Sequence, residues 1–522
     1  MIKTCGKHLC LDGRNCIIKG NMMANGFIKL KSGTDVRGVA SPILGRAVTL
    51  TEEATETIAR AFATWLQKKT GKTRLKIALG NDSRITAKQL VEAFERGATK
   101  SGADVVYTGL SSTPSMFMIL QDEKRAFDGS VMVTASHLPA DRNGLKFFAP
   151  EGGLEGEDVD EILAIAQSGN FAEGPGRVFE DYFMDEYSEI LVARVRKACG
   201  TERPLEGKKV IVDAGNGAGG FFTEKVLKPL GADTTGSLYL EPDGTFPHHA
   251  PNPEDKVAID TLKKQVLACH ADLGIIFDTD VDRAGAVDVK GEEINRNRLI
   301  ALISAQLLEK RPGTIVTDSV TSDGLTKFIE ERGGRHHRYM RGYRNVIDEC
   351  KRLNDAGEYS PLAVETSGHC AFKDNYFLDD GAYLVTEILI ILAGQLKKGK
   401  RLADLISGLE EPAEATEIRL PIDCDEFREY GKIVLKNFES AVKGCGGADI
   451  APDNYEGVRV NFDKEHGDGW ALVRMSLHEA IIPINIESGS LGGCKKMAKT
   501  LLSLLEENKK LDFAPLLNYI KS

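Results

Sequence analysis

The stretch ADLGIIFDTDVDR, residues 271–283, carries the reading of the whole chain. Its first half, Leu273 to Phe277, is an apolar run of the length of one buried strand. Its second half sets Asp278, Asp280 and Asp282 on alternate positions directly after that strand. An apolar strand that stops at a polar loop suits layered α/β sheets, whose sites lie beyond the carboxyl ends of the strands. The same pattern recurs on both sides. Upstream, RLKIALG ends at Gly80, VVYTG and SVMVTAS follow, and KKVIVDAGNGAGG (208–220) reads as a strand, a glycine loop and then a helix. Downstream it restarts at RPGTIVTDSV, 311–320. Helical stretches alternate with these strands. TEEATETIARAFATWLQKK, 51–69, opens on Thr51 as an N-cap and repeats Ile58, Phe62, Trp65 and Leu66 at helical spacing.

With 522 residues the chain is too long for one hydrophobic core. Polar, Gly/Pro-rich segments near 167–182, 290–298 and 407–417 divide it into domains expected at 1–178, 179–296, 297–412 and 413–522. The first three carry the strand–helix alternation and predict α/β domains with mainly parallel, mixed sheets. The last lacks that rhythm and reads as α+β. Hydrophobic content of 42% and charged content of 28% are ordinary for a globular protein. The net charge of −10 disfavours nucleic acid as a partner. Ten scattered cysteines without a CxxC pair predict reduced thiols and a cytoplasmic protein. Cys5, His8, Cys10 and Cys16 do not match zinc-finger spacing. No long apolar run opens the chain as a signal peptide would. The most apolar helical segment, 383–396, is too short to span a bilayer and carries Glu387, so a buried core helix is expected.

Four loops carry candidate chemistry. In TASHLPADRNGLKFF, 134–148, Ser136 and His137 follow a strand on a polar turn, and Lys146 stands ten residues on. A serine so placed can act as a nucleophile or a phosphate carrier, although a Ser-His pair alone also fits a plain turn. In DTDVDR, three neighbouring carboxylates call for a hard cation, Mg²⁺ where phosphate is handled, and Arg283 could hold a phosphate oxygen. An EF-hand does not fit, because Val289 stands where its closing glutamate belongs. In ETSGHCAFKDNYFLDDG, 365–381, Glu365, Ser367 and His369 surround Gly368 and suit hydrogen bonds to vicinal sugar hydroxyls. In RMSLHEA, 474–480, Arg474 and Ser476 offer a guanidinium fork and a hydroxyl to a phosphate. ESGSLGG, 487–493, is a weaker phosphate loop, without a basic residue until Lys495.

TASHLP, DTDVDR, ETSGH and RMS, in this order and spacing, resemble the loops of the α-D-phosphohexomutases. SGTDVRG (32–38), GNDSR (80–84), STP (112–114) and PDGTFPHHAPNPED (242–255) extend the resemblance over nearly the whole chain. It implies four domains around a central cleft: three related α/β units and a C-terminal α+β domain, each giving one loop. It implies Ser136 as the phosphoserine, Asp278, Asp280 and Asp282 as Mg²⁺ ligands together with it, and Arg37 near the transferring phosphoryl group. Lys146 or His137 would be the general acid/base. Arg283, Glu365, Ser367 and His369 would contact the substrate, and Arg474, Ser476 and His478 its other phosphate.

Departures are visible. Leu138 replaces a frequent asparagine, and Thr279 and Val281 stand at usual glycine positions. Leu477, His478 and Ala480 replace the glycine, threonine and proline of the usual phosphate loop, and Tyr343 stands where some relatives carry histidine. The implied reaction interconverts hexose 1-phosphate and hexose 6-phosphate of glucose or mannose, with a hexose 1,6-bisphosphate as intermediate and activator. The partners are small sugar phosphates, without membrane or nucleic acid, in a monomer or homodimer. Phosphoglucosamine mutase and a non-catalytic sugar-phosphate-binding relative are the alternatives.

Overall fold

A computed structural model of the chain describes residues 26–452, 454–476 and 479–522. The cysteine group at 5–16 and the loop residues Leu477 and His478 lie outside the described residues. The chain divides after Gly291 into two compact units.

In the first unit the strands lie in the spatial order Lys31–Ser32, Asp35–Val39, Arg142–Ala149, Gly129–Val133, Leu75–Asn81, Ala103–Leu110 and Val178–Glu180. The last four run parallel, and the strands before them are antiparallel. Helix Glu52–Thr70 starts as expected at Thr51, whose hydroxyl accepts a hydrogen bond from the Ala54 amide, and stops at Gly71 in the left-handed conformation. Its Ile58, Phe62 and Leu66 pack with Phe94, Val131, Phe147 and Ile162 in the main core. Val178–Glu180 pairs with Ala103–Leu110, so the boundary expected at 178/179 falls inside a strand of this sheet. The linker segment closes the sheet's edge before the chain leaves it.

The antiparallel strand Arg142–Ala149 matters most for function. It sets Gly144 opposite Arg37 and Lys146 opposite Met132, four residues before Ser136. The strands that carry Arg37 and Lys146 and the strand that leads to Ser136 are thus neighbours in the sheet, although Arg37 is remote from the other two in sequence. The approach is close: a Cβ on Gly144 would lie 2.3 Å from the Val36 carbonyl oxygen and 2.7 Å from that of Thr134.

The next sheet pairs Val210–Asp213 parallel to Leu273–Phe277, which then turns back antiparallel into Ala284–Asp288. Helix Lys256–Cys269 covers it through Ile259, Leu262 and Val266. The helix expected after the glycine loop is only a 3₁₀ turn, Ala218–Gly220, and a five-residue π-helix, Thr223–Leu227. Glycine-rich sequence has little helical propensity.

In the second unit Arg335–Tyr339, Thr314–Asp318 and Leu362–Val364 are parallel, and Cys370–Phe372 and Leu378–Asp379 return antiparallel. Helix Gly381–Lys397 is buried along most of its length, as its apolar sequence predicts. Among the described residues no helix is long and apolar enough to cross a membrane. The C-terminal sheet is wholly antiparallel, in the order Glu414–Pro421, Ile481–Ser488, Gly469–Val473, Val458–Phe462 and Ala448–Ile450. Helices Phe427–Val442 and Gly493–Leu505 pack on it through Val434, Phe438, Met497 and Leu501. Buried Arg459 ties this sheet to the preceding one: its guanidinium lies 3.6 Å over the Trp470 ring and donates to Ser319 O at 3.0 Å and Asp323 Oδ1 at 2.9 Å. Three α/β layers and a C-terminal α+β layer are therefore present.

Gly144→Ala tests the close strand packing. It is expected to destabilise the first unit by about 1–3 kcal/mol in chemical denaturation, the usual cost of overpacking.

Candidate active site

The serine loop follows strand Gly129–Val133. Ser136 is buried and held at φ 51, a conformation that costs a non-glycine residue energy. Two local devices hold it. Thr134 Oγ1 accepts the Ser136 amide at 2.9 Å. Arg84, buried below the loop, donates Nη1 to Pro139 O and Arg142 O, both at 2.8 Å, and Nη2 to Leu138 O at 2.6 Å and to Ser136 O. Asp82 balances that guanidinium at 3.3 Å and accepts Thr134 Oγ1 at 2.6 Å. Burial pushes the Asp82 carboxyl up to about 6, although Arg84 and Thr134 pull the other way. The Ser136 hydroxyl donates to Asp278 Oδ2 at 3.0 Å and lies 3.3 Å from His137 Nδ1 and 3.5 Å from Arg283 Nη2.

The three aspartates form the hairpin loop between Leu273–Phe277 and Ala284–Asp288, with Val281 in the left-handed conformation at φ 66. Each offers a carboxylate oxygen within 4.8 Å of the others, and all three side chains are buried. Burial, then the charges of Asp282 and Asp280, push the Asp278 carboxyl well above the usual range. Thr113 Oγ1 donates to Asp280 Oδ2 at 2.5 Å. Lys146 Nζ reaches the same oxygen at 2.8 Å and also Asp282 Oδ2. Burial works against the Lys146 charge, but Asp280, Asp282 and Asp35 outweigh it and hold the ammonium well above its ordinary value. Arg283 Nε stands 3.3 Å from Asp278 Oδ2. Asp280 Oδ1 is buried and accepts no hydrogen bond. An all-carboxylate set with such an oxygen fits a hard divalent cation. Arg37 lies on the neighbouring strand, its Nη2 2.7 Å from Asp35 Oδ2.

The second unit holds the other two loops. Glu365 is buried between strands Leu362–Val364 and Cys370–Phe372; its Oε1 accepts the Gly342 amide at 2.7 Å and its Oε2 the Ser367 hydroxyl at 3.4 Å. Burial and the nearby Asp318 charge push the Glu365 carboxyl up to about 7, against the pull of His369 and the Gly342 N–H. His369 Nδ1 lies 2.5 Å from Asp379 Oδ2, and its ring stacks on Tyr343 at 5.1 Å. Arg474 follows strand Gly469–Val473, its Nη1 3.7 Å from Glu456 Oε1. Burial lowers its proton affinity. Ser476 Oγ accepts the Glu479 amide at 3.2 Å. His478 lies outside the described residues. In the weaker phosphate-loop candidate, the Gly492 and Cys494 amides already donate to Glu414, at 2.7 and 3.2 Å.

Sequence reasoning missed Arg84, Asp82, Thr113 and Glu456 as parts of these sites. The first three lie in GNDSR and STP, whose resemblance to family fragments was the available signal. Glu456 carries none.

Family models match the chain in three consecutive stretches: phosphoglucomutase/phosphomannomutase alpha/beta/alpha domain I over residues 30–173, domain II over 185–291 and domain III over 295–412. The chain belongs to the phosphoglucomutase/phosphomannomutase family. It is 31% identical to a phosphoglucomutase of Neisseria meningitidis over 94% of this chain and 99% of that one. It is likewise 31% identical to a phosphoglucomutase/phosphomannomutase of Thermococcus kodakarensis, over 92% and 99%. Among solved structures, a phosphoglucomutase/phosphomannomutase family protein from Burkholderia thailandensis superposes with a TM-score of 0.77 at 26% identity, over 91% of this chain and 97% of that one.

Two variants test the site. Arg84→Lys replaces a planar five-donor fork by one nitrogen with three donors, which cannot reach all four carbonyls, and is expected to lower kcat on hexose phosphate roughly 100-fold, the scale of a 1 Å misplacement. Glu365→Gln tests the buried carboxyl. A carboxyl raised from its ordinary value of 4.5 to about 7 contributes stability that is present below its unfolded value and lost as pH rises through 7. Glu365→Gln is therefore expected to gain thermal stability over the wild type at pH 8, by on the order of 1–3 kcal/mol, and to gain little at pH 5.

Proposed function

We propose that this protein interconverts the 1-phosphate and 6-phosphate of glucose, mannose or both, through a phosphorylated Ser136 and a hexose 1,6-bisphosphate. Membership of the mutase family makes it an isomerase that moves a phosphoryl group within one sugar. The observation that carries the serine's role is the Ser136 hydroxyl, 3.0 Å from Asp278 in a buried loop of three aspartates. A merely structural serine needs no such neighbours.

Asp278, Asp280 and Asp282, with the phosphoserine, would hold Mg²⁺. When bound, that ion offsets the charge of the phosphoryl group and polarises it. The remaining work falls to side chains. Arg84 keeps the serine in its left-handed turn. Arg283, 3.5 Å from Ser136 Oγ, and Arg37 supply positive charge near the phosphoryl oxygens. His137 Nδ1, 3.3 Å from Ser136 Oγ, is placed to hold the proton that the incoming sugar hydroxyl gives up. Lys146, paired with two carboxylates, keeps its own proton and orients the loop.

Glu365, Ser367 and His369 take the sugar hydroxyls, and Arg474 and Ser476 hold the phosphate that is not being transferred. Transfer from Ser136 to the free hydroxyl gives the bisphosphate. Reorientation presents the other phosphate to Ser136, which recovers it. A trace of hexose 1,6-bisphosphate would thus keep the serine loaded. The seven described cysteines are free thiols, which supports a reducing, cytoplasmic setting.

The test is conversion of glucose 1-phosphate to glucose 6-phosphate with Mg²⁺ and a trace of glucose 1,6-bisphosphate, run beside mannose 1-phosphate. Turnover is expected to disappear in Ser136→Ala and on chelation, and to return with added Mg²⁺ in the wild type only. Turnover that survives Ser136→Ala would overturn the phosphoserine route. Turnover of glucosamine phosphate alone would move the assignment to the amino sugar.

A further inference from the structure

We propose that the second unit carries a further binding site, for a small phosphorylated organic anion, in the pocket lined by Arg332, Gln395, Lys398 and Lys400. The proposal does not depend on the mutase reading. The pocket measures about 400 Å³, inside the range of about 300–1,000 Å³ usual for small-molecule sites, and Leu308 and Leu405 give it an apolar wall. Its place in the fold separates it from the sugar loop. Helix Arg296–Lys310 ends beside it, shortly before strand Thr314–Asp318, and Arg332 stands shortly before strand Arg335–Tyr339. The pocket therefore lies at the amino ends of these parallel strands. Asp318 and the Glu365 loop lie at the carboxyl ends of the same sheet.

Two groups in this pocket are left without partners. Gln395 is only 7% exposed, yet among the described residues its carboxamide makes no hydrogen bond and opens into the pocket. Its backbone oxygen alone is used, by the Lys398 and Lys400 amides at 2.9 and 3.0 Å. Buried carboxamides are normally paired, so this one offers a donor and an acceptor to a ligand. The Arg332 guanidinium lies 3.4 Å over the Phe328 ring and donates from Nη1 to Phe328 O at 3.1 Å; no described carboxylate pairs with it. Burial lowers its proton affinity, and the nearby Glu331 charge works the other way. The balance of charge selects an anion. Of the two carboxylates that line the pocket, Asp404 is committed to Arg401, whose amide and Nη2 donate to it at 2.9 and 2.6 Å, while Lys400 attracts it from farther off. Glu309, the other, is exposed and faces three cations. Helix carboxyl ends attract cations, which accounts for lysines at the end of helix Gly381–Lys397. It does not account for an unpaired guanidinium beside an unpaired carboxamide. A phosphate ester satisfies both: its oxygens take the Arg332 fork and the ammonium groups, and a polar edge of its organic part pairs with Gln395.

The experiment is calorimetric titration of the full chain with AMP, phosphoenolpyruvate and inorganic phosphate. Arg474→Gln serves as the background, because it removes the phosphate anchor assigned to the active site. To it are added Arg332→Gln, Gln395→Leu, or Lys398→Gln together with Lys400→Gln. At least one ester is expected to bind, and Arg332→Gln to weaken it about tenfold or more, the scale of one lost charged hydrogen bond. The lysine pair should weaken it as well. Gln395→Leu should weaken the ester but not inorganic phosphate, which has no organic part to pair with the amide. In the wild-type background these substitutions should leave kcat and KM on hexose phosphate unchanged. Binding of neither ester at millimolar concentration, or binding that the added substitutions leave unchanged, would overturn the proposal. If Arg332→Gln does not fold, the lysine pair, altered only at exposed side chains, decides it. A wild type that turns over no hexose phosphate but binds an ester through Arg332 would sink the mutase reading and leave this site standing.

Discussion

Three carboxylates gathered in one buried hairpin loop are the costly arrangement on which the rest of the first unit depends. Like charges within 4.8 Å, out of water, repel strongly, and the rise in the proton affinity of Asp278 expresses first its burial and then that repulsion. The surroundings answer it residue by residue. Lys146 arrives from the antiparallel strand Arg142–Ala149, Arg283 from the end of the hairpin itself, and Thr113 from the N-terminus of a short helix. None of these is close to the aspartates in sequence except Arg283. The sheet order brings Lys146 in, so topology is a precondition of the charge balance.

Ser136 belongs to the same economy of position. Its backbone is strained, and a strained turn persists only where neighbours over-determine it. Arg84 does this by binding four carbonyls of the loop, and its own charge is matched by Asp82, which also fixes Thr134. Serine, clamp and counter-ion form one closed set. The hydroxyl is thereby presented to Asp278 without relying on a flexible side chain.

Much of this was legible in the sequence, and what was hidden follows a physical pattern. Apolar strands ending at polar loops, such as Ile275-Ile276-Phe277 before Asp278, announce themselves through local periodicity and composition. So does the capped helix at Thr51. The serine and aspartate loops were readable because each concentrates unusual chemistry in a few consecutive residues. Arg84 and Glu456 act at a distance in sequence: their partners lie 52 to 58 residues away for the Arg84 carbonyls and 115 to 137 away for Arg341 and Ser319. No local pattern encodes such partners. The short 3₁₀ and π turns after the glycine loop were misread as a helix for a related reason. Contacts of that loop with other segments add to its low helical propensity: a Cβ on Gly220 would lie 2.2 Å from Leu240 O.

The chain contains only two tryptophans, and each sits in a different unit. Trp65 lies on the buried face of helix Glu52–Thr70, its indole N–H bonded to Glu161 at 3.0 Å. Trp470 is covered by the Arg459 guanidinium where the C-terminal sheet joins the preceding one. The two chromophores have different surroundings, one bonded to a carboxylate and the other beneath a cation. Emission from a single-tryptophan variant therefore reports on one unit alone. The sequence supplies its own pair of optical probes, one reading the serine-bearing unit and the other the joint through which the C-terminal domain is attached.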